Sequence, residues 1–438
     1  MVSARSDRPP SRAAALLAAS VLLFAALFGA AGCGLLSDRA NAETVPGVTD
    51  KPCPHAVNRH HGCIYLGTLS DLSTGPFSSL GVPLTRAERA FWQRVNEDGG
   101  IGGYDVDAVT YVRDTGYVPS RHLAAYLEIK DRVLALAQTL GSATSEAILD
   151  DLRSARILAV PASFQSKWEF EDVILESGPP YCFSYMNAVD YMVRQGKVRR
   201  VMSVRFAGDY GADGAAGARI AARAHGLRYK DVQTPQGQAA QGAAVREILK
   251  WRPDVVLLST GPAENAAIVS QSVAHGFKGR FLGDNTTWNA AVMKTPAAPA
   301  MRGHFLMLAS WKPFATDAPG YTAMRGALGR VAPDDTYTAG WVIQYPLKAV
   351  IERAVRNGRL TRDGLYEAMK ETSFVDYEGI LPAAAGDFSG TANSAAFRQT
   401  VIERPDATQY TGLKVLTDYF TGQTAQRYRL DAPCTSAR

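Results

Sequence analysis

Charge is scarce in this chain: Asp, Glu, Lys and Arg make up 20% of 438 residues and leave a net charge of only +5. The basic residues are scattered rather than gathered into a stripe, so there is no electrostatic footprint for nucleic acid. Long apolar runs are missing after residue 32, and a hydrophobic content of 46% is that of a water-soluble globular chain, which excludes a multi-span membrane protein. Catalytic signatures are also missing. The chain carries no Gly-x-Ser-x-Gly, His-Glu-x-x-His or Cys-x-x-Cys, so nothing positive points to an enzyme or a cofactor. The remainder is long for one hydrophobic core, and at about 150 residues per domain it calls for more than one.

The N-terminus reads as an export signal. Arg5, Arg8 and Arg12 precede an uncharged stretch from Ala13 to Gly32, and Asp38 and Arg39 restore ordinary polarity. The ending Ala30-Ala31-Gly32-Cys33 resembles the lipobox of bacterial lipoproteins, with Ala30 where Leu is usual. That resemblance implies a signal peptide over residues 1–32 and an acylated Cys33; an uncleaved membrane anchor is the alternative. Residues 33–61, with Pro46, Gly47, Pro52 and Pro54, read as a flexible tether. Besides Cys33, four of the five cysteines remain, an even number in an oxidising compartment. They admit three pairings. Proximity favours Cys53 with Cys63, which leaves Cys182 with Cys434.

From Cys63 onward short apolar runs alternate with amphipathic stretches, the pattern of βαβ units and a parallel sheet. A first series has strands at Ile64–Leu69, Val106–Val112, Val133–Ala137 and Ile157–Val160, with Thr85 and Glu88 placed as a capping box at the start of its first helix. A second series has strands at Val201–Phe206, Arg228–Val232, Asp254–Leu258, Phe281–Leu282 and His304–Leu308. A helix-rich segment, Tyr321–Met369, and a less periodic tail follow. Two βα series of this length make two α/β lobes.

The string Gly67-Thr-Leu-Ser-Asp-Leu-Ser-Thr-Gly75-Pro76, followed by Asn96-Glu-Asp-Gly-Gly-Ile-Gly-Gly103, resembles the type I periplasmic binding proteins of the branched-chain amino-acid ABC-importer class. Asp114-Thr115, Gly141-Ser142-Ala-Thr144, Asp209-Tyr210-Gly211 and Phe281-Leu282-Gly283 follow in the same order, so the resemblance runs over roughly residues 62 to 425. It implies two doubly wound lobes closing as a Venus flytrap, with crossovers near Tyr185, Trp311 and Glu378. The N-terminal lobe would then comprise residues 62–184 and 312–378, and the C-terminal lobe residues 185–311 and 379–438. The motifs fall in loops after strands, where helix N-termini present free N–H groups to ligands.

By that resemblance Ser142 and Thr144 hold a ligand carboxylate, Ser163 and Phe164 touch ligand at the next strand end, and Tyr210 acts as an aromatic lid. Phe77 on the first loop and Thr260 and Gly261 after a second-lobe strand complete the candidate set. For Ser142 the competing role is a helix cap, and for Phe77 and Tyr210 a place in the core. Asn285 occupies the position where amino-acid binders carry a carboxylate for the ligand's ammonium, and a neutral amide cannot neutralise that charge. Either the adjacent Asp284 does so, or the ligand is not an α-amino acid; Trp288 would add an apolar or cation–π wall. The glycines at 208, 211, 214 and 217 miss the dinucleotide spacing, and His55, His60 and His61 fit no common zinc motif. The resulting expectation is a monomeric lipoprotein on the extracytoplasmic face of the membrane, delivering a small solute to an ABC permease. A receptor that signals to a membrane partner without transport is the alternative.

Overall fold

The computed structural model describes residues 45–437. The export signal, Cys33 and the first part of the tether lie outside them. Among the described residues no helix is long and apolar enough to cross a membrane.

The first lobe is built from β1 (Val48–Thr49), β2 (Gly62–Ser70), α1 (Ser78–Glu97), β3 (Tyr104–Asp114), α2 (Pro119–Ile129), β4 (Ala135–Leu140), α3 (Ser142–Glu146), α4 (Leu149–Ala155) and β5 (Ala159–Ala162). β2 is central, with β3 on one edge and β4 then β5 on the other, all parallel. All six residues of β4 are buried, as a parallel strand covered on both faces requires.

The second lobe starts with α5 (Tyr181–Gln195) and continues through β6 (Arg200–Arg205), α6 (Asp209–Ala224), β7 (Arg228–Gln233), α7 (Gly242–Trp251), β8 (Val255–Ser259), α8 (Pro262–Ala274), β9 (Arg280–Asp284), α9 (Ala298–His304) and β10 (Phe305–Ala309). The chain then returns to the first lobe for α10 (Pro319–Leu328), α11 (Thr336–Val342), α12 (Gln344–Arg356) and α13 (Arg362–Lys370). β11 (Val401–Pro405), antiparallel to β10, and β12 (Leu413–Val415), antiparallel to β11, close the second sheet, giving the order β12-β11-β10-β9-β8-β6-β7. α14 (Gln423–Arg427) packs beneath α5. Past Glu378, Ile380, Leu381, Ala385 and Phe397 pack into the hydrophobic cluster that contains the first lobe's core, whereas Ala396 and Ile402 pack into the second lobe's.

Two local expectations are corrected. Residues 45–61 are not a free tether: β1 pairs with β2 through Val48 and Thr49, and Cys53, bonded to Cys63, is buried. Asp105 holds this arm by accepting from the backbone N–H of Val57 (2.8 Å) and Asn58 (2.9 Å), and it meets His61 Nδ1 at 3.2 Å. Second, α1 starts at Ser78, and Thr85 and Glu88 lie inside it rather than at its cap. Both face inward, where Thr85 donates to Ser70 Oγ (3.1 Å) and Glu88 accepts from Thr68 (2.5 Å). A Thr-x-x-Glu spacing marks one helix face as readily as a cap, and here burial used it for a polar network.

The second disulfide joins Cys182, at the start of α5, to Cys434 in the tail across 252 residues. The glycine run after β6 has a packing role in the same region. At Gly217 a Cβ would stand 2.1 Å from the Cys182 carbonyl oxygen, so only glycine lets α6 approach α5 this closely.

Candidate functional site

The carboxyl ends of both sheets face one another, and the loops there enclose a cleft of about 760 Å³ empty volume, counting its mouth. Asp71, just past β2, accepts from the N–H of Gly75 and of Phe77, each at 2.9 Å; this curls the Thr-Gly-Pro turn and places Phe77 in the cleft wall. Asp114, ending β3, accepts from Leu72 N–H (2.9 Å), Gly116 N–H (3.1 Å) and the Ser73 hydroxyl, tying the first two loops together. Tyr117 follows in a left-handed backbone conformation, φ 59°, unusual for a bulky residue. Its ring meets Phe77 edge-on at 4.7 Å and covers Gly141 so closely that a Cβ there would lie 2.2 Å from it.

Ser142 opens α3 with its hydroxyl buried and unpartnered. Thr144 does not reach the cleft: its hydroxyl turns back to the Leu140 carbonyl oxygen. Ser163 and Phe164 both line the wall. The Ser163 hydroxyl accepts from Trp168 Nε1 (3.1 Å), and the Phe164 ring lies 6.0 Å from Tyr181 and 5.9 Å from Trp311.

From the second lobe, Tyr210 reaches across with its ring 4.8 Å from Tyr181 and 6.3 Å from Phe77. Thr260 and Gly261 lie behind it, outside the lining, where the Thr260 carbonyl oxygen accepts from the Tyr210 hydroxyl at 3.4 Å. Trp288 stacks on Phe305 (6.1 Å, 8°), leaving its indole N–H buried and unpartnered. Asn285 lines the cleft and uses its side-chain oxygen to accept from Ser310 N–H (2.9 Å).

Asp284 points away from the cleft. Its Oδ1 accepts from Thr286 N–H (3.0 Å), the Thr286 hydroxyl (2.5 Å) and Tyr210 OH (3.1 Å), and its Oδ2 from Tyr185 OH (3.4 Å). Burial pushes its carboxyl up to about 6, against the pull of those donors, the first of which is Thr286.

The motifs missed six polar or aromatic members of the wall: Tyr117, Tyr181, Thr286, Trp311, Asp335 and Thr336. Tyr117 could have been suspected from its place just after Asp114-Thr115. Asp335 sits in the connection before α11, in a segment without any motif, and it is 5% exposed. Leu80, Leu84, Leu140, Met307 and Ile343 add aliphatic surface to a lining that, among the described residues, includes no Lys, Arg or His. Such a wall suits an apolar body with few polar atoms.

Residues 64–403 match the family model described as periplasmic binding protein. Among solved structures the chain is similar to a fatty acid ABC transporter substrate-binding protein from Thermomonospora curvata, with 27% identity over 88% of this chain and 96% of that one, and a TM-score of 0.80. A branched-chain amino acid ABC transporter structure from Thermus thermophilus with bound valine shares 20% identity over 84% of this chain and 98% of its own, with a TM-score of 0.73. A leucine binding protein from Thermotoga maritima shares 18% identity over 82% and 98%, with a TM-score of 0.66. No curated protein sequence matches. These relatives are solute binders rather than enzymes, and with two facing α/β sheets and a family match over most of its length, this chain belongs to the type I periplasmic binding proteins, a substrate-binding family of the ABC-transporter type.

Proposed function

We propose that the protein captures an apolar small molecule other than an α-amino acid in the interlobe cleft and hands it to an ABC importer, held at the outer membrane face through an acylated Cys33. The observation that carries this reading is Asp284. An amino-acid ligand needs an ionised carboxylate for its ammonium, yet Asp284 lies outside the cleft lining and is already engaged by Thr286 and Tyr210, its neighbour Asn285 is neutral, and Asp335, the carboxyl that does line the cleft, is raised by burial to about 7 and so holds its proton more readily than an ordinary carboxylate. Seven aromatic residues, Phe77, Tyr117, Phe164, Tyr181, Tyr210, Trp288 and Trp311, line the cleft together with aliphatic side chains, so the binding energy comes from apolar area removed from water. Ser142 is the polar contact from the first lobe, and Phe77 and Tyr210, one from each lobe, complete the shell on closure.

A thermal-shift screen tests this. A ligand present at about one hundred times its dissociation constant adds about 2.7 kcal/mol to stability. Short aliphatic or aromatic acids and amides should raise the melting point, and leucine, isoleucine and valine should not. A shift by valine comparable to that of an apolar acid would overturn the reading.

A further inference from the structure

Four buried polar atoms of residues in the cleft wall make no hydrogen bond of good geometry: the Ser142 hydroxyl, the indole N–H of Trp288 and of Trp311, and Oδ2 of Asp335, which has the equally unpaired Thr411 hydroxyl beside its carboxyl. Buried polar groups are rarely left unpaired, because each costs its full desolvation. Three of the four can donate. The fourth belongs to the one carboxyl in the wall, whose other oxygen accepts from Phe314 N–H (2.7 Å).

Ligand head groups can be judged against this set. An ammonium would satisfy Asp335 and leave both indoles without an acceptor. A bare carboxylate would satisfy the indoles but bring its charge against Asp335, with no cation in the wall to offset it. A head group that both accepts and donates answers all of them; a zwitterion does so as well as a neutral acid, and the valine arm of the thermal-shift screen separates the two. We propose that Asp335 reads the polar end of the ligand, and that the cleft holds an apolar carboxylic acid whose head shares one proton with Asp335 while its free oxygen accepts from an indole N–H. This inference rests on the apolar-solute reading and names the head group that reading leaves open.

The proton balance follows from the surroundings. The titratable groups facing Asp335 are Asp334 beside it, Glu403 on β11 and Tyr321 on α10; none is a cation. Burial raises the Asp335 carboxyl to about 7, so below that pH it brings the shared proton itself and acid binding takes up none. Above it, one proton must enter from solvent with each ligand. Affinity for an acid should therefore be flat below the Asp335 value and fall roughly tenfold per pH unit above it.

The experiment uses hexanoic acid, hexanamide and hexylamine, which share one chain and differ in the head. Titration calorimetry between about pH 6 and about pH 9 should show hexanoate weakening by more than tenfold, hexanamide by less than twofold, and no binding of hexylamine. At the upper pH, runs in two buffers of different ionisation heat should count one proton taken up per hexanoate, a readout that needs no variant. Asp335→Asn, which supplies a permanent donor, should abolish the pH dependence and bind hexanoate more tightly than the native protein at about pH 9. Hexanoate binding with no proton uptake and no pH dependence would overturn the role of Asp335 and leave the apolar-solute reading standing. Binding of hexylamine in place of the acid would do the same. Silence from all three compounds would overturn both.

Discussion

Two carboxyl groups border the cleft from opposite lobes, and they are treated differently. Asp284 ends a strand, and Thr286 N–H, the Thr286 hydroxyl and Tyr210 OH converge on its Oδ1, while Tyr185 OH, whose closer acceptor is the Leu258 carbonyl oxygen, stands 3.4 Å from Oδ2. Asp335 sits in a helix connection, receives one backbone donor at close range, and has only the Thr411 hydroxyl, too poorly placed for a full hydrogen bond, beside its carboxyl. Both are fully buried and both are raised by desolvation, to about 6 and about 7. Burial alone therefore does not separate a structural carboxyl from a ligand-facing one. The count of satisfied lone pairs does, because a group already paired within the fold has nothing left to offer a ligand.

That contrast can be broken by mutation. The largest effect is expected for Asp284→Ala, which leaves Thr286 N–H and the Thr286 hydroxyl without their carboxylate acceptor and should cost about 2 kcal/mol in urea unfolding. A loss below about 1 kcal/mol would mean that its bonds contribute little and that the carboxyl is free to serve a ligand.

Glu176 carries the contrast away from the cleft. It is 9% exposed, neither carboxylate oxygen has a partner, and burial, then Glu169 and Asp213, raise it well above the ordinary range. A carboxyl raised in the folded state contributes fully only below its unfolded value, and that contribution is lost as pH rises. Glu176→Gln should thus stabilise the protein by about 2 kcal/mol near pH 8 and by almost nothing near pH 4, which melting curves at the two pH values would read. Equal gains at both would show that its proton is irrelevant to folding.

Smaller effects should divide the two residues that the motif placed together. Ser142→Ala removes an unpaired hydroxyl from the wall, so ligand affinity should fall roughly tenfold while the free protein melts unchanged. Thr144→Ala breaks only the bond to the Leu140 carbonyl, and should cost about 0.5 kcal/mol of stability with no change in affinity. If both variants lose affinity equally, the loop acts as one anion cradle and the division fails.

Much of this molecule was legible before any coordinates. Strands such as β4 and β8 are continuous apolar runs because both faces of a parallel sheet are covered, and that pattern is local. Phe77, Ser142, Ser163, Phe164, Tyr210, Asn285 and Trp288 were readable as site candidates because each lies in or just past a loop that a strand end must present to the cleft. Thr144, Thr260, Gly261 and Asp284 share those loops but not the lining, since which way a side chain turns depends on partners far away in sequence. Asp284 is claimed by Tyr185 and Tyr210, and Thr85 and Glu88 by Ser70 and Thr68.

The order of strands and helices and the position of the loops that border the cleft are set by short-range patterns of polarity, and the sequence alone determined them. The tertiary structure decided which polar atoms find partners and which stay bare, because that depends on the meeting of two lobes whose facing residues, such as Tyr210 with Phe77 or Asp335 with Glu403, are far apart in the chain.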